Sequence, residues 1–209
     1  MFQRCPLRSS PVDESLSIAT FALGVGYCGG KQKDPTYRKV CSDPIYADWA
    51  EAVQVEFDES SISYAELVEH FFRSHDASFG SGKRQYMSAI FYHSEEQEKT
   101  AQQVLSNFNT QKRVVTVIEP ATDFYDAELY HQKWLLQRRR DWFATLELMS
   151  PEDLVDGQAA SGLNAYVAGH LSQKDFRDLV DVWVRDKVIS NDVWSAIRTK
   201  LGFECENDE

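Results

Sequence analysis

Apolar positions along the chain predict strands that are interleaved with amphipathic helices. Over residues 51–57 apolar side chains recur with period two, which is typical of a half-buried strand. The same analysis predicts strands over 18–25, 87–92 and 113–118, and amphipathic helices over 63–75, 94–108 and 126–137. Strands that alternate with helices around one sheet predict an α/β or an α+β fold.

The C-terminal part of the chain has a different pattern, which predicts helices alone. Apolar positions in 139–209 recur at helical spacing, most clearly at Phe176, Leu179 and Trp183. Gly202 follows the last periodic segment and is a typical helix stop. We expect this helical extension to pack on the preceding domain rather than to bind a partner.

Composition excludes several classes of protein. The chain has 209 residues, of which 43% are hydrophobic, so it can bury a sizeable core in one domain with an appendage. A net charge of −11 argues against a general nucleic-acid binder, because neutralising phosphates needs a basic surface. No apolar run approaches the length that spans a bilayer, so we expect no membrane partner.

The four cysteines are widely spaced along the chain. Cys5, Cys28, Cys41 and Cys205 form no Cys-x-x-Cys pair, so the spacing supports neither a metal site nor a disulfide framework. Few cysteines without a secretory apolar region predict a reducing compartment, and we expect the cytoplasm or an organelle. Cys28, in a glycine-rich turn, and Cys41, before Ser42, are each interpreted as small buried residues.

Glu51 is a carboxylate on the predicted buried face of the 51–57 strand, which it shares with Val53, Val55 and Phe57. Burial disfavours the charged form of a carboxyl group and therefore raises its pKa. A protonated carboxyl group donates a hydrogen bond, which can polarise the oxygen of a substrate. The alternative is that Glu51 lies at the end of the strand and simply reaches solvent.

Seven short motifs follow one another in order and spacing. They are Gly26-Tyr27-Cys28-Gly29-Gly30, Pro35-Thr36-Tyr37, Val40-Cys41-Ser42, Ala50-Glu51-Ala52-Val53, His75-Asp76, Gln85-Tyr86-Met87-Ser88-Ala89-Ile90 and Tyr130-His131-Gln132-Lys133. Together they resemble peptide-methionine (S)-S-oxide reductase, the methionine sulfoxide reductase A family, over about residues 23–138. For this part of the chain the resemblance implies an α+β fold, a two-layer sandwich with a mixed sheet.

The resemblance also implies a reaction: the thiol-dependent reduction of methionine-S-sulfoxide, free or in proteins, as repair after oxidative damage. A cysteine thiolate attacks the sulfoxide, methionine leaves, and a sulfenic acid remains. A second thiol, on the protein or on a thioredoxin-like reductant, condenses with the sulfenic acid to a disulfide. The resemblance implies neither a metal nor an organic cofactor, and we expect a monomer.

Site residues follow from their positions in the motifs. Glu51 corresponds to the acid that binds and protonates the sulfoxide oxygen, and Tyr37 and Tyr86 correspond to hydroxyl groups that hold the same oxygen. His131 belongs to a motif on the substrate side. We therefore predict Cys5, Glu51, Tyr37 and Tyr86 as catalytic, and Tyr37, Glu51, Tyr86 and His131 as substrate-binding.

Residues 1–22 depart from the family pattern. The family's nucleophile lies in a Gly-Cys-Phe-Trp segment upstream of the glycine-rich turn, and this chain has no such segment. Cys5 stands at nearly that distance, but Pro6 and Leu7 follow it. The loop before Gln85 also lacks the family's aspartate, and Met87 stands where the family has an arginine.

Three accounts fit these departures. In the first, Cys5 is the nucleophile of a divergent pocket, with Cys28 as the fallback because its turn borders the expected pocket. In the second, the native start lies upstream and carries the missing segment, for example because a selenocysteine was read as a stop. In the third, the protein has lost turnover and acts as a sulfoxide-binding or partner-binding module.

Overall fold

A computed structural model describes residues 20–108, 112–146 and 150–202 of the chain. The strands are β1 (Thr20–Cys28), β2 (Ala50–Phe57), β3 (Ala89–Tyr92), β4 (Val117–Pro120) and β5 (Tyr125–Asp126). The α-helices are α1 (Tyr37–Ser42), α2 (Tyr64–Arg73), α3 (Glu95–Asn107), α4 (Trp134–Gln137), α5 (Arg140–Leu146), α6 (Pro151–Asp156), α7 (Gln158–Val167), α8 (Gln173–Arg185) and α9 (Asn191–Leu201). Short 3₁₀ helices cover Pro44–Tyr46, Arg84–Tyr86 and Leu129–His131.

The described strands form two small sheets. The first has the order β2–β1–β5 and is antiparallel, with Tyr27 of β1 directly opposite Glu51 of β2. The second pairs β3 with β4 in parallel. The predicted α+β class is confirmed. The prediction places antiparallel and parallel pairs in one mixed sheet, whereas the structure divides them between two sheets.

Helices α2 and α3 pack on the parallel pair. Helix α2 begins at a capping box, in which Ser63 and Glu66 satisfy each other's backbone N–H groups. Phe72 of α2 and Ala101 of α3 are buried against Ile90 of β3. This cluster gives β3 and β4 the apolar support that two isolated strands lack.

Residues 126–137 contradict the prediction of one continuous helix. The segment holds β5, a 3₁₀ helix and the short α4, which follows Lys133 in a left-handed conformation with φ of 42°. Gln132 is fully buried: it accepts a hydrogen bond from Val25 N at 3.1 Å and donates one to Val25 O at 2.8 Å. These side-chain bonds fix Gln132 to β1, a long-range contact that periodicity alone does not reveal.

The helical extension packs on the first sheet, as expected. Phe176 and Trp183 are fully buried at the centre of its apolar cluster, which also contains Leu136 of α4. Leu23 N of β1 donates a hydrogen bond to Ser161 Oγ of α7 at 3.3 Å. The extension and the preceding part of the chain therefore share both apolar core and hydrogen bonds.

Lys133 ties the first sheet to the extension. Its buried Nζ donates to Leu23 O at 2.6 Å and to Val155 O, at the end of α6, at 2.7 Å. Burial lowers the pKa of Lys133 to about 8, although Asp156 and Asp126 lie close enough to oppose the shift.

Replacing Lys133 by Met is expected to lower the free energy of unfolding by about 1–3 kcal/mol, because two carbonyl groups lose their donor. Between pH 8 and pH 10.5 the unfolded chain holds a proton on Lys133 that the folded chain has lost. The stability of the wild type should therefore rise with pH relative to Lys133→Met across this window. Denaturant unfolding of both proteins at several pH values measures the difference, and a difference independent of pH would contradict the assignment.

Candidate active site

Glu51 lies at the start of β2, on the sheet face that also carries Tyr27. Burial raises the pKa of the Glu51 carboxyl group above its ordinary value, in the direction that the sequence predicts. A hydrogen bond of 2.6 Å from Gln85 Nε2 to Glu51 Oε1 opposes this shift. Glu51 is therefore a partly buried acid, and the Gln85 amide orients one of its two oxygens.

Glu128 holds Tyr37 in place beside this acid. Tyr37 begins α1, and its backbone N–H donates to Glu128 Oε1 at 2.9 Å. The hydroxyl group of Tyr27 donates to Glu128 Oε2 at 3.1 Å. One carboxylate thus links β1 to the start of α1. The sequence interpretation missed Glu128, for which the nearby Tyr130-His131-Gln132 motif is the available signal.

Four of the predicted site residues are neighbours. Burial, a hydrogen bond with Cys41, and the charges of Cys41, Tyr86 and Glu51 together raise the pKa of Tyr37 to about 12. The ring centroids of Tyr37 and His131 are 5.0 Å apart. The structure therefore brings Glu51, Tyr37, Tyr86 and His131 together from four separate parts of the chain.

Arg84 anchors the 3₁₀ helix that carries Gln85 and Tyr86. Its guanidinium group donates to Glu119 Oε2 at 2.5 Å and to Asp48 O at 2.7 Å. Gln85 is buried, whereas Tyr86 is 36% exposed. Arg84 ends the loop that lacks the family's aspartate. Its contacts leave the Gln85 amide facing inward and the Tyr86 phenol accessible to a ligand.

A cavity of about 570 Å³ lies beside these residues. Its wall includes the polar side chains of Glu51, Tyr37 and His131 and apolar side chains such as Val53 and Phe71. This volume is in the range of small-molecule sites, which are typically apolar with a few polar groups that fix orientation. The arrangement suits a ligand with an apolar body and one polar oxygen.

The two described cysteines differ in their surroundings. Cys28 pairs with Ala50 across the sheet, so its side chain projects from the face opposite to Glu51. It is buried, with Sγ 3.8 Å from Thr122 O. Cys41 is half-buried rather than buried as the sequence predicts, and it accepts a hydrogen bond from Gln85 Nε2 at 3.1 Å.

The remaining two cysteines, Cys5 and Cys205, lie outside the described residues. Cys5 therefore stays a prediction as the nucleophile. In the described ranges no group of three or more His, Cys, Asp and Glu side chains could hold a metal ion. Over the same ranges no helix has the length and apolar character needed to cross a membrane.

Gly30 packs directly against Trp49, the residue that precedes β2. A Cβ atom at position 30 would lie 2.2 Å from the indole ring, which is almost fully buried. Gly30→Ala is therefore expected to lower the free energy of unfolding by about 1–3 kcal/mol. Gly80→Ala is the matched control, because a Cβ at Gly80 meets nothing within 4 Å. Equal denaturation midpoints for the two variants would contradict this packing.

Comparison with known proteins supports the resemblance. The family model described as peptide methionine sulfoxide reductase matches residues 18–156. A peptide methionine sulfoxide reductase of Drosophila melanogaster is 38% identical over 151 residues, which cover 69% of this chain and 58% of that protein. The MsrA protein of Sulfolobus acidocaldarius is 44% identical over 113 residues, which cover 51% and 63%. The chain thus spans less than two thirds of the length of these curated relatives.

Two solved structures are also similar to this chain. The crystal structure of Mxr1 from Saccharomyces cerevisiae in reduced form is 32% identical with a TM-score of 0.50, covering 56% of this chain and 71% of that chain. Methionine sulfoxide reductase A of Corynebacterium diphtheriae is 26% identical with a TM-score of 0.50, covering 57% and 65%.

Proposed function

Because this chain belongs to the peptide methionine sulfoxide reductase family, we propose that it reduces methionine-S-sulfoxide, free or in proteins, to methionine. The observation that supports the proposal most strongly is the group formed by Glu51, Tyr37 and Tyr86. These residues place a partly buried acid and two phenols together, and Glu51 and Tyr37 border a largely apolar cavity. The apolar side chain of the substrate can pack in the cavity, and its single sulfoxide oxygen can accept a hydrogen bond from Glu51.

The acid has a defined role in this reaction. A thiolate attacks the sulfoxide sulfur while Glu51 protonates the oxygen, methionine leaves, and the oxygen stays on the cysteine as a sulfenic acid. Tyr37 and Tyr86 donate hydrogen bonds to the oxygen as its negative charge develops. The raised pKa keeps a larger fraction of Glu51 protonated near neutral pH than an exposed carboxyl group would have.

A thioredoxin-like dithiol is the proposed reductant. Restoring the cysteine needs a second thiol, which condenses with the sulfenic acid and releases water. Cys28 and Cys41 have different partners, Thr122 and Gln85, so an external thiol fits the described surroundings better than a bond between them. We further propose a cytoplasmic monomer that repairs oxidised methionine residues.

The test is steady-state reduction of methionine-S-sulfoxide by the full chain, with dithiothreitol as the dithiol and methionine measured by chromatography. The R epimer is the matched substrate control, because it presents the oxygen with the opposite stereochemistry. Turnover of the S epimer well above that of the R epimer would support the proposal. Absence of turnover with both epimers would overturn it and leave binding of the sulfoxide as the remaining function.

A further inference from the structure

Helix α1 carries two side chains that face the candidate site. Tyr37 and Cys41 are separated by four residues, so they lie on the same side of the helix, one turn apart. A hydrogen bond joins the two side chains. Because Glu128 fixes the start of α1 to β1, the helix holds the Cys41 thiol at a defined place beside the phenol.

Gln85 brings the same thiol next to the acid. Its buried Nε2 donates to Cys41 Sγ at 3.1 Å and to Glu51 Oε1 at 2.6 Å. Since one nitrogen atom reaches both acceptors, the sulfur and the carboxyl oxygen are close neighbours. An oxygen bound to Glu51 would bring the sulfoxide sulfur, one bond away, near the Cys41 sulfur.

Cys28 also borders the cavity that Glu51 and Tyr37 line, but its described hydrogen bonds go to Thr122 and not to Gln85 or Tyr37. It is buried on the opposite face of the first sheet, next to Thr122. Cys41 is the more accessible of the two described thiols. Among the described residues, Cys41 is therefore the thiol that is bonded both to the phenol of Tyr37 and to the amide that holds Glu51.

We infer that Cys41 is the thiol that attacks the sulfoxide sulfur in this chain, an inference that rests on the proposed function. The thiol first loses its proton to solvent, and the thiolate attacks the sulfoxide sulfur. Glu51 delivers one proton to the oxygen, the oxygen passes from the substrate sulfur to the Cys41 sulfur as the new sulfur–sulfur bond breaks, and methionine leaves with Cys41 as a sulfenic acid. One thiol of an external dithiol condenses with the sulfenic acid and releases water, and its second thiol then frees Cys41 as the dithiol becomes a cyclic disulfide.

This assignment differs from the sequence-based prediction in one residue. The motif spacing points to Cys5, whereas the described contacts point to a cysteine that the sequence reading treated as packing. Gln85 contacts both groups directly, because its amide nitrogen donates to the Cys41 sulfur and to the Glu51 carboxyl oxygen and so sets their relative position.

The first test locates the sulfenic acid in the unaltered full chain. The reduced chain is incubated with methionine-S-sulfoxide and dimedone, without a dithiol, and the adduct is mapped by mass spectrometry. The inference predicts an adduct on Cys41. An adduct on Cys5 or Cys28 would overturn the inference while leaving the proposed function intact, whereas failure of the chain to form methionine would remove both.

The second test compares dithiothreitol-driven turnover of Cys41→Ser, Cys5→Ser and the parent chain. Cys41→Ser is expected to lose turnover by about 100-fold or more, because serine is a far weaker nucleophile toward sulfur. Ser42→Ala is the control on the same helix, since the exposed Ser42 hydroxyl bonds only backbone within the described contacts, at Arg38 O. Full turnover of Cys41→Ser with loss in Cys5→Ser would overturn the inference.

Discussion

Replacing Glu51 by Gln is expected to lower kcat/KM for methionine-S-sulfoxide by about 10²- to 10⁴-fold, the usual range for loss of a general acid. The amide has nearly the same shape as the carboxyl group but cannot deliver a proton to the sulfoxide oxygen. Because burial raises the pKa of Glu51, the rate of the parent should fall as pH rises through that value. Steady-state rates measured across a pH series would show this decrease of the rate with rising pH in the parent chain and not in Glu51→Gln.

Glu56→Gln is the matched control for this substitution. Glu56 is an exposed carboxylate in the same strand, and its side chain projects from the face opposite to Glu51. Its replacement should leave both the rate and its decrease with rising pH unchanged. Equal losses in the two variants, or full activity in Glu51→Gln, would contradict the role of Glu51 as the proton donor.

Replacing Trp183 by Ala should cost about 3–5 kcal/mol of stability, as is typical when a fully buried large aromatic side chain is removed. The indole lies against Gly162 of α7 and makes an edge contact with Phe176, with ring centroids 5.9 Å apart. Truncation therefore leaves a cavity at the centre of the helical extension. Val184→Ala is the control, because Val184 is the next residue of α8 and is 37% exposed.

The same variant tests whether the extension unfolds with the rest of the chain. Leu136 and the Leu23–Ser161 hydrogen bond join the two parts, so circular dichroism and tryptophan fluorescence should report one shared transition. A loss below 1 kcal/mol, or two separate transitions in the parent, would contradict this coupling.

Local patterns were sufficient to predict the elements that carry Glu51. Alternation over 51–57 predicts β2, and the position of Glu51 on the apolar face predicts the direction of its pKa shift. The Ser63–Glu66 capping box likewise fixes the start of α2. These features depend on neighbouring residues, which the sequence displays directly.

Contacts between distant parts of the chain were not predictable in this way. Gln85 contacts Glu51 across 34 positions, Glu128 contacts Tyr37 across 91, and Lys133 contacts Leu23 across 110. A buried polar residue must find a partner, but its sequence neighbourhood does not name that partner. The motifs therefore allowed the acid and the phenols to be predicted, whereas the role that we propose for Cys41 depends on the position of Gln85.

The most direct test of the account is a single-turnover experiment without any external reductant. The fully reduced chain is mixed with excess methionine-S-sulfoxide, and the methionine released is counted per chain. The account predicts one equivalent of methionine for each chain, with one cysteine oxidised. Release of no methionine by folded, fully reduced protein would contradict it.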